Sequence, residues 1–282
     1  NLPLKAKQLF SNPTIEDLAK TMADCGGAVA YRSPPNVIQE LCDEITLDML
    51  PLVEWGAKDI DQDSLDGCLA RVPGGVSNVQ DIYPLGPLQE GIFFHHRMND
   101  AIDPYVMPVL FRLNNSSVFD EFVNGLEAII QRHDILRTLV MWRQLPQPLQ
   151  IVCRELPLSV KWLALESDDS IEEQMRARCA PEYHNMDLEQ GGGLRLQVTK
   201  DEINGHYFVL LQLHHIISDH VGLEIISREL DAYKIGQLES FPPARAYREF
   251  IAHSLHQAEQ YSAQEFFSEM LADVDEPTTP FD

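Results

Sequence analysis

Along this chain the repeat of apolar positions changes period several times, and each change predicts an element. After a turn and cap at Pro13-Thr14, the residues Ile15, Leu18, Ala19 and Met22 recur at helical spacing. Gly26-Gly27 and then Arg32-Ser33-Pro34-Pro35 interrupt that pattern with linker chemistry. Between Asn36 and Val72 lie two acidic, weakly amphipathic stretches, the second starting at Asp61, and Pro73-Gly74-Gly75 stops it. From Val79 onward the pattern sharpens. Gln89 to Met98 predicts a short helix and Tyr105 to Leu113 a strand. Ser117 with Asp120 predicts a capping box for a helix whose inner stripe is Phe119, Phe122, Val123, Leu126, Ile129 and Ile130. Strands are predicted at Thr138 to Trp142, Leu149 to Val152 and Val160 to Leu165, and helical spacing returns from Ile171 to Ala180. Leu194 to Val198 pairs as a hairpin with Tyr207 to Leu213 across a turn at Asp201 to Gly205. Helices at Val221 to Ile235 and from Ala244 complete the series. Strands and helices mix without strict alternation, so the fold class is a layered α/β or α+β sandwich, with no internal repeat.

Composition narrows the function classes. A net charge of -23 argues against binding nucleic acid or an anionic membrane surface. The five cysteines include no Cys-x-x-Cys pair, which predicts reduced thiols in a cytoplasmic protein. No secretory leader or long apolar span appears, so neither export nor membrane insertion is expected.

The candidate chemistry sits at His214-His215-Ile216-Ile217-Ser218-Asp219. The preceding run, His206 to Leu213, reads as a strand buried on both faces. Side chains alternate along a strand, so His214 and His215 face opposite ways. One can hold the structure while the other reaches a cavity. Asp219 stands just before a helical pattern (Leu223, Ile226, Leu230), where it reads as a cap or as an orienting carboxylate. Two histidines facing apart cannot share an ion, and no third ligand lies at zinc-like spacing, so no metal is expected.

Several stretches together resemble the condensation domains of nonribosomal peptide synthetases. Tyr83-Pro84-Leu85-Gly86-Pro87-Leu88-Gln89-Glu90-Gly91 is similar to that family's opening motif. Arg132-His133-Asp134-Ile135-Leu136-Arg137-Thr138 is similar to its RHxxLRT motif, and His214 to Asp219 to its HHxxxD signature. Residues 1–25 resemble the end of a peptidyl carrier domain, through Leu2-Pro3-Leu4-Lys5 and Leu9 to Ala19, and lack the serine motif that bears phosphopantetheine. His95-His96 followed by Asp103-Pro104-Tyr105 resembles the additional HHxxxxxGD motif of dual epimerization/condensation domains. Ile102 stands there in place of Gly, Arg97 in place of an apolar residue, and position 220 is His where the general family has Gly.

The resemblance implies a division into a carrier remnant (1–25), an acidic linker with short helices (26–78) and the chloramphenicol-acetyltransferase-like N-terminal lobe of a condensation domain (79–282). It implies aminolysis of a thioester, with both substrates tethered to phosphopantetheine arms and no cofactor bound by the chain itself. His215 is then the base or the group that orients the amine, and His214 is structural. Asp219 and Arg137 form a buried ion bridge in this reading. His95 or His96 would join His215 if the upstream residue is also epimerized. The implied partners are upstream and downstream carrier domains, an adenylation domain and a second condensation lobe, and one lobe alone is not expected to catalyse. Two rivals stand beside this reading: a non-catalytic carrier-docking or scaffold fragment, and a coenzyme A-dependent acyltransferase of the same fold.

Overall fold

The computed structural model describes residue 14 and residues 31–274, except 41, 58, 99–101, 166–169 and 261–262. The carrier-like stretch 1–25 therefore lies outside the described residues apart from Thr14, and so does most of a separate unit spanning Asn1–Ser33.

Two sheets organise the unit Pro34–Asp282. The three-stranded sheet has β1 (Val79–Pro84) and β3 (Thr138–Met141) on either side of β4 (Leu149–Cys153), all antiparallel. The four-stranded sheet runs β2 (Val106–Leu113), β7 (Tyr207–His214), β6 (Leu194–Lys200), β5 (Ser159–Trp162), with β5 parallel to β6 and the other pairs antiparallel. The mixed sandwich expected from the pattern is what the chain forms. The β6–β7 hairpin turns where Asp201 to Gly205 predicts, and Gly205 supplies the positive φ of +70° that an L side chain resists. Central strand β7 is buried at every position after Tyr207, which explains its mostly apolar sequence, Gln212 and His214 being buried polar exceptions.

The long helix α4 (Ser116–Arg132) lays Phe119, Phe122, Leu126, Ile129 and Ile130 into the main core. Its cap differs from the expected one. Asn115, with extended backbone, accepts from Val118 N at 3.1 Å, so the helix begins one residue before Ser117 and the Ser117–Asp120 box does not form. Against α4 packs α6 (His220–Lys234), so closely that a Cβ on Gly125 would stand 2.9 Å from Leu230 Cδ2. The strand expected to reach Leu165 ends at Trp162, since beyond Leu163 no further pairing with β6 continues.

The stretch expected to be an acidic linker behaves differently from Ile38 onward. Its helices α1 (Pro51–Gly56) and α2 (Gln62–Leu69) form as expected. Their apolar residues do not stay in solvent: Ile38, Ile45, Leu50, Val53, Leu65, Leu69 and Val72 bury against Ile82, Leu139, Leu149 and Ile151. The acidic side chains that gave the stretch its linker character occupy only the outward face. A bulge between Val79 and Asp81 lets both Val79 and Ile82 face this second core, while Asp81 turns the other way and pairs with Arg248. Helix α3 (Pro87–Met98) joins β1 to β2, and α5 (Ile171–Ala177) lies in the connection from β5 to β6. Two more helices, α7 (Arg248–Gln260) and α8 (Ala263–Met270), come after α6. Among the described residues no helix is long and apolar enough to cross a membrane. The cysteines described, Cys42, Cys68, Cys153 and Cys179, are all free.

Candidate active site

The end of β7 is held from both sides. His214 N–H donates to Gly193 O at 2.8 Å and His215 N–H to Tyr105 O at 2.7 Å. The two imidazoles then point to different places, as strand alternation requires. His214 is fully buried. His215 is half-buried and lines a largely apolar groove of about 500 Å³ with Ile92, His133, Ile135, Val221, Tyr247 and Phe250. Its ring meets Tyr105 edge-on at 6.4 Å, and Tyr105 in turn lies 5.8 Å from the ring of His95.

The opening motif explains itself through Gln89, which is buried. Its Oε1 accepts from Gly86 N at 2.9 Å, and its Nε2 donates to Ile216 O at 2.8 Å and to Gln150 Oε1. Gln150 returns the bond to Gln89 Oε1 at 3.0 Å and also donates to Pro84 O. Helix α3, strand β4 and the loop after His215 are thus tied by two reciprocal amides with every polar atom used.

The second motif clamps helices. Buried Glu229 of α6 takes Arg132 Nε at 3.2 Å and His133 Nε2 at 2.8 Å on its two oxygens. Asp134 accepts the Tyr247 N–H at 2.9 Å, fixing the start of α7 beside the groove. The ion bridge expected between Arg137 and Asp219 is absent. Arg137 is buried and donates to Gln80 Oε1 at 2.5 Å and to Cys153 O, behind the three-stranded sheet. Burial lowers its pKa, and nearby Asp134 is the main opposing charge. Asp219 is exposed and turns back on its own helix, accepting Gly222 N at 2.8 Å as the N-cap of α6. Each group is committed elsewhere, Asp219 to the N-cap and Arg137 to Gln80 and Cys153, and the two do not meet.

A cluster that chain spacing hid lies on the other side of β7. One oxygen of Asp103 accepts both His96 Nδ1 at 2.6 Å and His214 Nε2 at 2.9 Å, and the other accepts Tyr105 N at 2.9 Å. Burial alone would raise the pKa of Asp103; the hydrogen bonds from His214 and His96 outweigh it and hold the carboxyl well below its usual range. Burial pushes the pKa of His214 down, against the pull of Asp103. These contacts assign the protons. Ile216 N–H donates to His214 Nδ1 at 3.0 Å, so that nitrogen carries a lone pair and Nε2 carries the proton given to Asp103. His96 donates from Nδ1, so in the neutral ring its Nε2 carries the lone pair. His96, Asp103 and His214 are grouped closely enough to suggest a metal. The Ile216 amide already occupies the one lone pair of neutral His214, so this arrangement suits a proton network, not an ion.

The structure therefore divides the expected site residues. His95 and His215 flank Tyr105 on one side; His96 and His214 share Asp103 on the other; Asp219 caps α6 at the wall of the His215 groove, and Arg137 stands apart in a structural role. Asp103, Glu229 and Gln89 carry the site as much as the histidines do. Asp103 was visible as part of the additional motif, whereas nothing in the spacing marks Glu229 as the partner of Arg132 and His133.

A condensation-domain family model matches residues 79–279. Malpinin synthetase of Mortierella alpina is 39% identical over 279 residues, which is 99% of this chain and 4% of that protein. Tyrocidine synthase 2 of Brevibacillus parabrevis is 28% identical, over 71% of this chain and 6% of its own length. Among solved structures, a mutant of the starter condensation domain of the rhizomide synthetase RzmA superposes with a TM-score of 0.51 at 18% identity, covering 71% of this chain and 50% of that one. A four-domain nonribosomal peptide synthetase bound to AMP and glycine gives 0.52 at 19% identity, over 68% of this chain and 14% of its own. These structures share the fold, the chloramphenicol-acetyltransferase-like one that the motifs imply.

Proposed function

From the premise that this chain belongs to the condensation-domain family of nonribosomal peptide synthetases, we propose that it supplies the His215 side of a thioester-aminolysis site. The observation that carries the reading is the placement of His215. Its backbone is clamped by Tyr105 O, its neighbour is sealed inside, and its own ring faces an open groove. In the reaction, the acceptor amine attacks the carbonyl of the donor thioester. A C–N bond forms, the C–S bond breaks and the pantetheine thiol leaves. The attacking nitrogen must shed a proton, which the leaving sulfur finally receives; an imidazole at the groove wall can carry it or hold the amine in line. Carrier domains would present both phosphopantetheine arms, a second condensation lobe would close the groove, and an adenylation domain would charge the acceptor. Residues 1–25 fit this arrangement as the end of an upstream carrier, on the likeness of Leu9 to Ala19.

The test is transfer in the parent synthetase. His215→Ala is expected to lower dipeptidyl-carrier formation by two to four powers of ten, about the range of general acid–base catalysis, with carrier loading unchanged. Full transfer activity in that variant would overturn the assignment.

A second activity, epimerization of the upstream residue, is supported by His96. Its Nδ1 is held by the Asp103 carboxylate, an arrangement in which the neutral ring can accept a proton at Nε2. The Cα proton of a thioester is acidic enough for such a base. Loaded carrier in D2O is expected to exchange at Cα and to stop doing so in His96→Gln; no exchange in the parent would remove this activity.

A further inference from the structure

The cavity on the His96 side is not an extension of the His215 groove. It measures about 510 Å³ and is lined by His96, Arg97, Trp142, Arg143, Asn185 and Asp187, with Asp103 and Met186 behind them. Its polar character contrasts with the apolar groove and calls for a different ligand chemistry.

The carboxylates around it are already engaged. Asp103 serves two imidazoles. Buried Glu189 accepts Arg143 Nη1 at 2.9 Å and the amides of Trp142 and Arg143, with Arg71 at 3.6 Å. Asp187 accepts the Glu189 N–H at 3.0 Å. Arg97 differs from Arg143 in having no carboxylate within ion-pair distance among the described residues. Its guanidinium carbon sits 5.5 Å from the Trp142 ring centre, and that of Arg143 5.4 Å from the same centre. A guanidinium held over an indole is fixed in place without using its N–H donors. The outcome is a positioned fork of donors at the mouth of a polar cavity, one residue along the chain from His96. That is the geometry that takes a carboxylate or phosphate in two parallel hydrogen bonds.

We propose that this cavity is an anion subsite, with Arg97 as its specificity-determining residue, for a carboxylate or phosphate group carried on the tethered substrate. The inference rests on the reading that a thioester-bound chain approaches this face of β7. The anion has two sources within that chemistry, an acidic side chain of the acyl residue or the phosphate of the pantetheine arm.

Titration calorimetry on the protein with four small probes separates them. The probes are the N-acetylcysteamine thioesters of glutamate and glutamine, and pantetheine 4′-phosphate with pantetheine. At least one charged probe is expected to bind about tenfold or more tightly than its neutral partner, the size of a charge-assisted hydrogen-bonded contact. Which pair shows the difference identifies the source. Arg97→Gln should bring the pair within about twofold and Arg97→Lys should fall between; Arg97 is exposed, so beyond its stacking on Trp142 neither change disturbs the core. Equal binding within both pairs, or discrimination that survives Arg97→Gln, overturns the proposal. The readout is binding alone, so a failure of the His215 transfer assay leaves this result standing, and the reverse also holds.

Discussion

One carboxylate oxygen on Asp103 holds two rings, and the arrangement makes an acid-sensitive joint. His214 has its pKa lowered by burial, so as pH falls below about 6.5 the unfolded chain takes up a proton that the native ring refuses. Native stability therefore declines from that point downward. Asp103, with its pKa depressed, adds a second loss only as pH falls below the ordinary carboxylate value of 3.8. Melting curves are expected to show a midpoint that falls as pH drops from about 6.5 to about 5, and His214→Asn should flatten that interval; an unchanged slope would remove His214 as its cause. Asp219 and Arg137 give the complementary prediction. Loss of the cap in Asp219→Ala should cost about 1 kcal/mol, and Arg137→Ala, which strands the Cys153 carbonyl, about 2 to 3 kcal/mol. Their coupling in a double-mutant cycle should be within about 0.5 kcal/mol of zero, whereas an ion bridge would couple them by more. The His215 groove was legible in the residues, because strand alternation fixes which way adjacent side chains point. The Asp103 network was half legible: the motif marks its members, but only folding brings residue 214 within 2.9 Å of residue 103.

Elements were readable wherever one period dominated. The stripe on α4, the β6–β7 hairpin and the buried run of β7 arise directly from spacing. Boundaries set by a single polar atom were not, and Asn115 took the cap that Ser117 was expected to supply. The α4–α6 contact is the element-scale joint of the site, since α6 carries both Glu229 and the Asp219 cap. It depends on Gly125. A methyl there would meet Leu230 Cδ2 at 2.9 Å and Tyr233 Cδ1 at 3.0 Å, so Gly125→Ala should destabilise by about 1 to 3 kcal/mol, readable by urea titration. A helix-propensity gain of about 1 kcal/mol opposes this, and a net stabilisation would mean that α6 shifts freely.

At the scale of the whole molecule, the three-stranded sheet has two coats. One is the main body; the other is the segment 38–72, which lies ahead of the matched family residues 79–279. Composition misled here, because acidic positions on the outer face masked an apolar inner one. The consequence is testable. Protein beginning at Val79 would leave Ile82, Leu139, Leu149 and Ile151 uncovered and is expected to aggregate, while Leu65→Ala in the full chain should cost about 2 to 5 kcal/mol. Soluble, cooperatively melting 79–282 would show that the coat is dispensable.

The clamp on either side of residue 215 bears on the proposed transfer role in a second way. Because Gly193 and Tyr105 grip the main chain and not the ring, deleting the ring leaves its seat undistorted. His215→Gly in the parent synthetase should then present a ring-shaped vacancy at the groove wall, and free imidazole added to the buffer would refill it and restore part of the proposed transfer. A collapsible seat would give no such rescue.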